Sequence, residues 1–357
     1  MLKRFVPLVC AAGLLVQAQD QAEIVPPFIV TTERVLVPVT VFDRDGGYVN
    51  GIETRQFHLY DNGKEQNIEV DIAYQPISLV IAVQANAKVE SILPQVQRVG
   101  NLITPLVIGD QGEAAVLAYD SRIRKLQDFT SNPDQITKAV KSIIPGSTSN
   151  RMIDAVVEGA RMLHSRPQNR RRIILLIGET RDIASESRAR EALIDLQLAN
   201  IVLYSVDMSR FVSTLTEPAR QTRADPLPPA MHPMPAGVAA TPTSVAQAYG
   251  LNGGRAEFVP LMVEVFKDVK AIFKDNPVEL FTKGTGGTEL SFVKQRGLED
   301  AIGRVGEELH SQYLISYNPS NKQEGGFHEI NVEVTGRHDV KKIQTRPGYW
   351  LAAKPGA

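Results

Sequence analysis

The sequence predicts an α/β protein: a doubly wound, mostly parallel sheet, flanked by β segments at both ends of the chain that together form a small β-sandwich. Three observations carry this. Residues 79–83 (LVIAV), 173–177 (IILLI) and 201–206 (IVLYSV) are apolar runs with little polar alternation, as strands covered on both faces require. Helix-period segments alternate with these runs, the pattern of a parallel sheet with crossover helices. Before residue 76 and after residue 310 the apolar residues follow the strand period instead.

The elements follow in order. Residues 1–18 (MLKRFVPLVCAAGLLVQA) read as a secretory signal, with Lys3 and Arg4 as the positive region and Val16-Gln17-Ala18 as a small-residue cleavage site. Its apolar run is shorter than the roughly 18 residues a membrane span needs. Segment 24–75 is β. Residues 33–43 place Val35, Val37, Val39 and Val41 on one face, and residues 56–60 form a second strand. Asp61-Asn62-Gly63 is a hairpin turn into a third strand over 66–74.

The α/β region spans 76–310. After its first strand, Val89, Ile92, Leu93, Val96, Val99, Leu102, Ile103 and Leu106 recur at helical spacing. Residues 113–119 and 121–128 are two strands. Asn132-Pro133 opens a helix, and another covers 152–164. Strand 170–178 leads to a charged helix over 185–199 and then to strand 201–207. Residues 209–258 break the rhythm with proline, alanine and threonine, centred on PLPPAMHPMPAG, a flexible or polyproline-like composition. Met262, Val265, Phe266, Val269, Ile272 and Phe273 share a helical face, in a helix expected to end near Lys283-Gly284. A last strand covers 288–293, and a last helix carries Leu298, Ile302, Val305 and Leu309. The closing segment 311–350 is β, with strands over 312–317, 328–335 and 340–346.

The 357 residues suffice for two domains. A formal net charge of −1 gives no reason to expect nucleic acid or an anionic membrane as partner. The one cysteine, Cys10, lies in the expected leader. The mature chain is therefore expected to lack thiols, which excludes disulfides, thiolate catalysis and cysteine-bound zinc. There is no Gly-x-Ser-x-Gly elbow and no His-Glu-x-x-His pair, and the histidines are scattered. No enzyme and no cofactor is expected. Residues 283–290 (KGTGGTEL) lack the Lys-Ser/Thr pair of a phosphate loop and fit helix termination by glycine. Arg170-Arg171-Arg172 is expected to be a solvated strand entrance.

The order of these residues resembles a von Willebrand factor A-type (VWA) protein of the bacterial secreted VWFA-related group. VPVTVFDRDGGYVNGIETRQFHLYDNGKEQNIE is similar to that group's β lead-in, and AVLAYDSRIRKLQDFTSNPDQITKAV to its central section. ELHSQYLISYNP, GFHEINVEV and RPGYW resemble its closing β segment. The resemblance covers nearly the whole chain after the leader. It implies adhesion through a metal ion on the upper face, at the carboxyl ends of the strands, held by an Asp-x-Ser-x-Ser motif, a threonine and a later aspartate. Oxygen ligands of that kind suit Mg²⁺.

This sequence departs from that pattern. The first motif falls on Gln84, Asn86 and Lys88, the threonine on Asn150 (or Thr148, with a small slip), and the later aspartate on Gly178. A lysine about 4 Å from a divalent ion opposes it by roughly 8 kcal/mol at an effective dielectric near 20, so the metal site is expected to be abolished. Glu179, Asp182 and Asp207 are expected to be loop and helix-start carboxylates. Asp182 and Asp207 form the alternative, replacement ligands for an ion. Lys88 is either a solvated lysine or a receiver of a partner's carboxylate.

The expected function is a secreted or envelope-located protein–protein interaction module, independent of metal, with no integral membrane segment in the mature chain. Its expected contact surface is the upper face, with Gln84, Asn86, Lys88, Asn150, Gly178, Glu179 and the insertion. The rivals are metal-dependent adhesion through replacement ligands, and an envelope enzyme with an unrecognised site.

Overall fold

The computed structural model describes residues 34–71, 75–209, 212, 276–292 and 297–351, all within one unit, Thr32–Ala357. The expected leader 1–18, nearly all of the insertion and the helical face of residues 262–273 lie outside the described residues. Strand β1 (Val35–Phe42) buries Val35, Val37, Val39 and Val41 on one face, as their period-2 spacing requires. β2 (Phe57–Asp61) and β3 (Lys64–Glu65) form a hairpin around Asn62 and Gly63, both in the left-handed region (φ 50° and 75°) that a type I′ turn demands. β4 (Ile68–Asp71) does not extend that hairpin. The strand expected over 66–74 is present as β4, residues 72–74 lying outside the described residues, but its hairpin pairing is corrected: the chain crosses over, and β4 joins the opposite sheet.

The α/β part begins with β5 (Ile77–Gln84), all eight of whose residues are buried. A short 3-10 turn (Ala87–Val89) precedes α1 (Leu93–Ile103), which runs into a π-turn, Thr104–Ile108. The single helix expected over residues 89–106 is thus three pieces, with Pro94 starting the middle one. β6 (Glu113–Tyr119) and β7 (Ile123–Thr130) follow. The Asn132 side chain then accepts hydrogen bonds from Asp134 N and Gln135 N to open α2 (Pro133–Lys141). α3 (Met152–His164), β8 (Arg171–Gly178), α4 (Ala189–Leu198) and β9 (Ile201–Asp207) complete this half.

The described chain resumes at α5 (Pro277–Thr285), capped by Asn276, whose side chain accepts from Glu279 N. A continuous helix from 262 to 284 is therefore corrected. Asn276-Pro277 is the same start signal as Asn132-Pro133. Gly286, at φ +84°, ends α5 in a left-handed cap. Then come β10 (Glu289–Ser291) and α6 (Gly297–Ser311), followed by β11 (Tyr313–Tyr317), β12 (Gly326–Val334), β13 (Lys342–Thr345) and β14 (Gly348–Leu351).

The central sheet has the order β10-β9-β8-β5-β6-β7, parallel except at β6–β7. Alternate residues feed two cores. Leu79, Ile81 and Val83 pack with α1, α2 and α6; Val80 and Ala82 pack with α3, α4 and α5. This two-sided burial is why the strand sequences lack polar alternation. The end segments interleave as two four-stranded sheets, β13-β1-β11-β4 and β14-β12-β2-β3, around one apolar core. In that core Asp61, fully buried, accepts from Tyr317 Oη and Tyr349 Oη (2.8 Å each) and from Asn321 Nδ2 (3.1 Å), and its Oδ1 lies 2.7 Å from His328 Nδ1.

This sandwich sits at the lower end of the central sheet. Leu36 N donates to Asn200 Oδ1, just before β9; Gln344 Nε2 donates to Thr288 Oγ1, just before β10; and Gln197 Nε2 donates to Gly348 O. The expected solvated arginines are corrected. Arg170 donates to Ile77 O and Gln111 O, Arg171 to Leu309 O, and Arg172 to Ala199 O and Arg166 O. Buried carbonyls at the strand entrances need donors, and three adjacent guanidiniums supply them.

Candidate functional site

Among the described residues the sandwich covers the lower end, and the loops that follow the strands gather at the upper end. β5 lies between β6 and β8; the chain leaves β5 toward α1 on one face and β8 toward α4 on the other. Connections that diverge in this way open a crevice outside the carboxyl ends of the strands. Four loops meet there. Gly146 N donates to Ala85 O (2.7 Å), Ala87 N to Ser147 O (2.9 Å), Ser121 N to Ser147 Oγ (3.1 Å), and Ile183 N to Asn150 O (3.1 Å).

Gln84 organises the floor. Its Oε1 accepts from Glu179 N (2.7 Å), while its Nε2 donates to Asn86 Oδ1 and to Glu179 Oε2 (3.1 Å each). Lys88 Nζ donates to Glu179 Oε1 at 2.5 Å. Glu179 is 8% exposed whereas the Lys88 side chain is 55% exposed, so the carboxylate is inside and the ammonium reaches down to it. The solvated-loop expectation for Glu179 is corrected: both of its oxygens are engaged within the chain. The carboxylate that Lys88 receives is likewise the chain's own.

Asn150 is fully buried and donates through Nδ2 to Arg181 O (2.8 Å), fixing the loop after β8. Asp182 is engaged within the chain. Its Oδ1 accepts from Ile153 N (3.1 Å), closing the start of α3, and from Ser185 Oγ (2.7 Å). Asp207 Oδ1 accepts from Ser209 N (2.8 Å) and Ser209 Oγ. Among the described residues, no three His, Cys, Asp or Glu side chains converge.

Gly178 is the most constrained position. A Cβ there would stand 2.2 Å from Tyr119 Oη and 2.9 Å from Gln84 Oε1. Where the resembled family has a carboxylate, this chain has the tip of a fully buried tyrosine. Burial, then the charges of Glu179 and Asp182, push the pKa of the Tyr119 hydroxyl far above the ordinary tyrosine value, so it stays protonated. Its hydroxyl, Asn86 Nδ2 and Asn150 Oδ1 have no hydrogen-bond partner among the described residues.

Two residues on this surface escaped the sequence reading. Only three large apolar side chains are exposed among the described residues: Leu106 (37%), Ile144 (62%) and Ile183 (66%). The last two lie in the loops after α2 and after β8, on the rim of the crevice. Their signal was present in the sequence, a lone isoleucine in each of two polar loops, but an exposed apolar residue cannot be told from a buried one without the fold.

This arrangement is consistent with a VWA-like fold. No family model matches the chain, and no curated protein matches it. Similar solved structures include the vWF domain of the type V pili tip protein Mfa5 from Porphyromonas gingivalis, at 14% identity and TM-score 0.26, covering 29% of this chain and 38% of that one. BatB from Bacteroides thetaiotaomicron matches at 15% identity and TM-score 0.32, over 37% of this chain and 66% of that one. Proximal thread matrix protein 1 of the mussel byssus matches at 14% and 0.34, over 40% and 38%. The chain thus spans less than two thirds of each of these proteins. At such identities and scores they assign no function.

Proposed function

We propose that this chain is a protein–protein interaction module of the cell exterior or envelope, non-catalytic, whose upper face meets its partner without a metal ion. The observation that carries this is the Lys88–Glu179 pair seated on Gln84. A divalent ion at a VWA upper face needs several free anionic or neutral oxygens. Here the one carboxylate at the centre is committed to a lysine and an amide, and the side-chain space of residue 178 is filled. These residues do not fit the ion. Among the described residues no helix is long and apolar enough to cross a membrane.

A thermal melt of the mature protein in EDTA, then in excess Mg²⁺, Mn²⁺ or Ca²⁺, tests this. A ligand at a hundred times its dissociation constant stabilises by about 2.7 kcal/mol, equivalent to roughly 5 °C for a domain of this size. The expected shift is zero. A rise of several degrees with any of the three ions would return the site to metal-dependent adhesion.

A further inference from the structure

We infer that the upper face takes an acidic protein segment that also carries aliphatic side chains. This rests on the upper face being the contact surface and adds the chemistry of what is contacted. The two most exposed large apolar side chains among the described residues, Ile144 and Ile183, stand on the loops after α2 and after β8, which meet at Asn150. Both are held rather than loose. Ile144 follows the fully buried Ile143, and its carbonyl accepts from Arg124 Nη2 at 3.0 Å; Ile183 N and Ala184 N both donate to Asn150 O. Anchors fixed before binding lose little freedom on association.

Charge selects the partner. The exposed ionised side chains on these loops are Lys88, Arg122, Arg181 and Arg188 against Glu90 and Glu186; Lys88 is paired with Glu179 and Arg188 with Glu191. Glu186 is already paired with Arg151 at 2.9 Å. Arg122 and Arg181 have no acidic partner among the described residues. The other carboxylates of this end are turned inward: Asp120 onto Arg122 N, Asp154 onto Arg151, and Asp182 onto Ile153 N. An acidic segment is therefore attracted and a basic one repelled.

The test uses fluorescence anisotropy on the full mature chain with three labelled octapeptides. One has leucine at both ends and glutamate between; the second has lysine for glutamate; the third has serine for leucine. The leucine–glutamate peptide is expected to bind at least about tenfold more tightly than either control. Ile144→Ser with Ile183→Ser is expected to weaken it about tenfold, and Arg122→Glu with Arg181→Glu to transfer preference to the lysine peptide. All four residues are exposed, so the variants fold.

No binding by the leucine–glutamate peptide at millimolar concentration overturns the inference, as does equal binding of the lysine peptide. A lysine-peptide preference that is lost in the isoleucine double variant overturns the partner chemistry but keeps the upper face as contact surface. Leucine–glutamate binding unmoved by all four substitutions overturns both.

Discussion

Replacing Gly178 by aspartate puts back the side chain that the resembled family carries at this point. The structure says the exchange fails on its own. The new Cβ arrives 2.2 Å from Tyr119 Oη and 2.9 Å from Gln84 Oε1, and Tyr119 is fully buried among Met152, Val156 and Leu117, so it cannot swing aside. Overpacking of this kind costs typically 1–3 kcal/mol. The new carboxylate also sits beside Glu179, with no free cation facing it, and an unpaired buried charge adds several kcal/mol more. A loss of about 3–5 kcal/mol is expected, a large part of the 5–15 kcal/mol that holds a domain together. Urea unfolding midpoints, with and without Mg²⁺, measure it. Mg²⁺ is not expected to recover the loss, because Lys88 still occupies Glu179. Tyr119→Phe is the companion variant: it removes a buried hydroxyl that has no partner among the described residues, and is expected to be neutral or stabilising by about 1 kcal/mol. A Gly178→Asp chain as stable as the parent, or one rescued by Mg²⁺ alone, would show that the crevice is roomy and its sealing by Tyr119 and Gln84 is wrong.

Two further outcomes bear on the frame that carries this face. Asp61→Ala removes the acceptor shared by Tyr317, Tyr349, Asn321 and His328 in the sandwich core, and is expected to cost about 3–5 kcal/mol in urea; a loss under about 1 kcal/mol would mean the four donors find other partners. Burial raises the Glu308 carboxyl above its ordinary range, against opposing hydrogen bonds from Thr288 and Tyr204. The folded chain therefore holds that proton to higher pH than the unfolded chain, and stability falls as pH rises from the ordinary glutamate range to the raised value, then levels. Glu308→Gln should flatten that part of the urea-midpoint profile; identical slopes in variant and parent would refute the raised pKa.

Much of the fold was legible because burial writes itself into sequence. The eight buried residues of β5 read as an unbroken apolar run, and the alternating valines of β1 as a one-sided strand, because side-chain direction fixes which positions meet water. What failed was what depends on distant pairing. Nothing in residues 64–71 tells that β3 stays with β2 while β4 crosses to β11, since a strand's partner is chosen by the whole sandwich. The arginines at the start of β8 read as a charged, solvated edge because their acceptors, Leu309 O and Ala199 O among them, come from other elements. At the upper face the identities of Gln84, Asn86, Lys88 and Gly178 were visible. That Glu179 would close on Lys88 across 91 residues was not.

That closure has a consequence for how the face can bind. A metal centre concentrates recognition on one point, since an open coordination position accepts one carboxylate and little else. Here the centre is spent internally, on Gln84, Glu179 and Lys88. What remains outward is distributed: an ammonium half in solvent, two arginines and two isoleucines on loops pinned through Asn150 and Ser147. A surface of that kind gains affinity from several modest contacts made together, so no single substitution on it should abolish binding, whereas losing one ligand of a metal centre typically does. Lys88→Ala therefore separates the two designs without reference to any ion. A partial loss, of roughly tenfold or less, belongs to a distributed surface. Complete loss would mean that the lysine, as an ion would be at a metal centre, is the single point on which recognition turns.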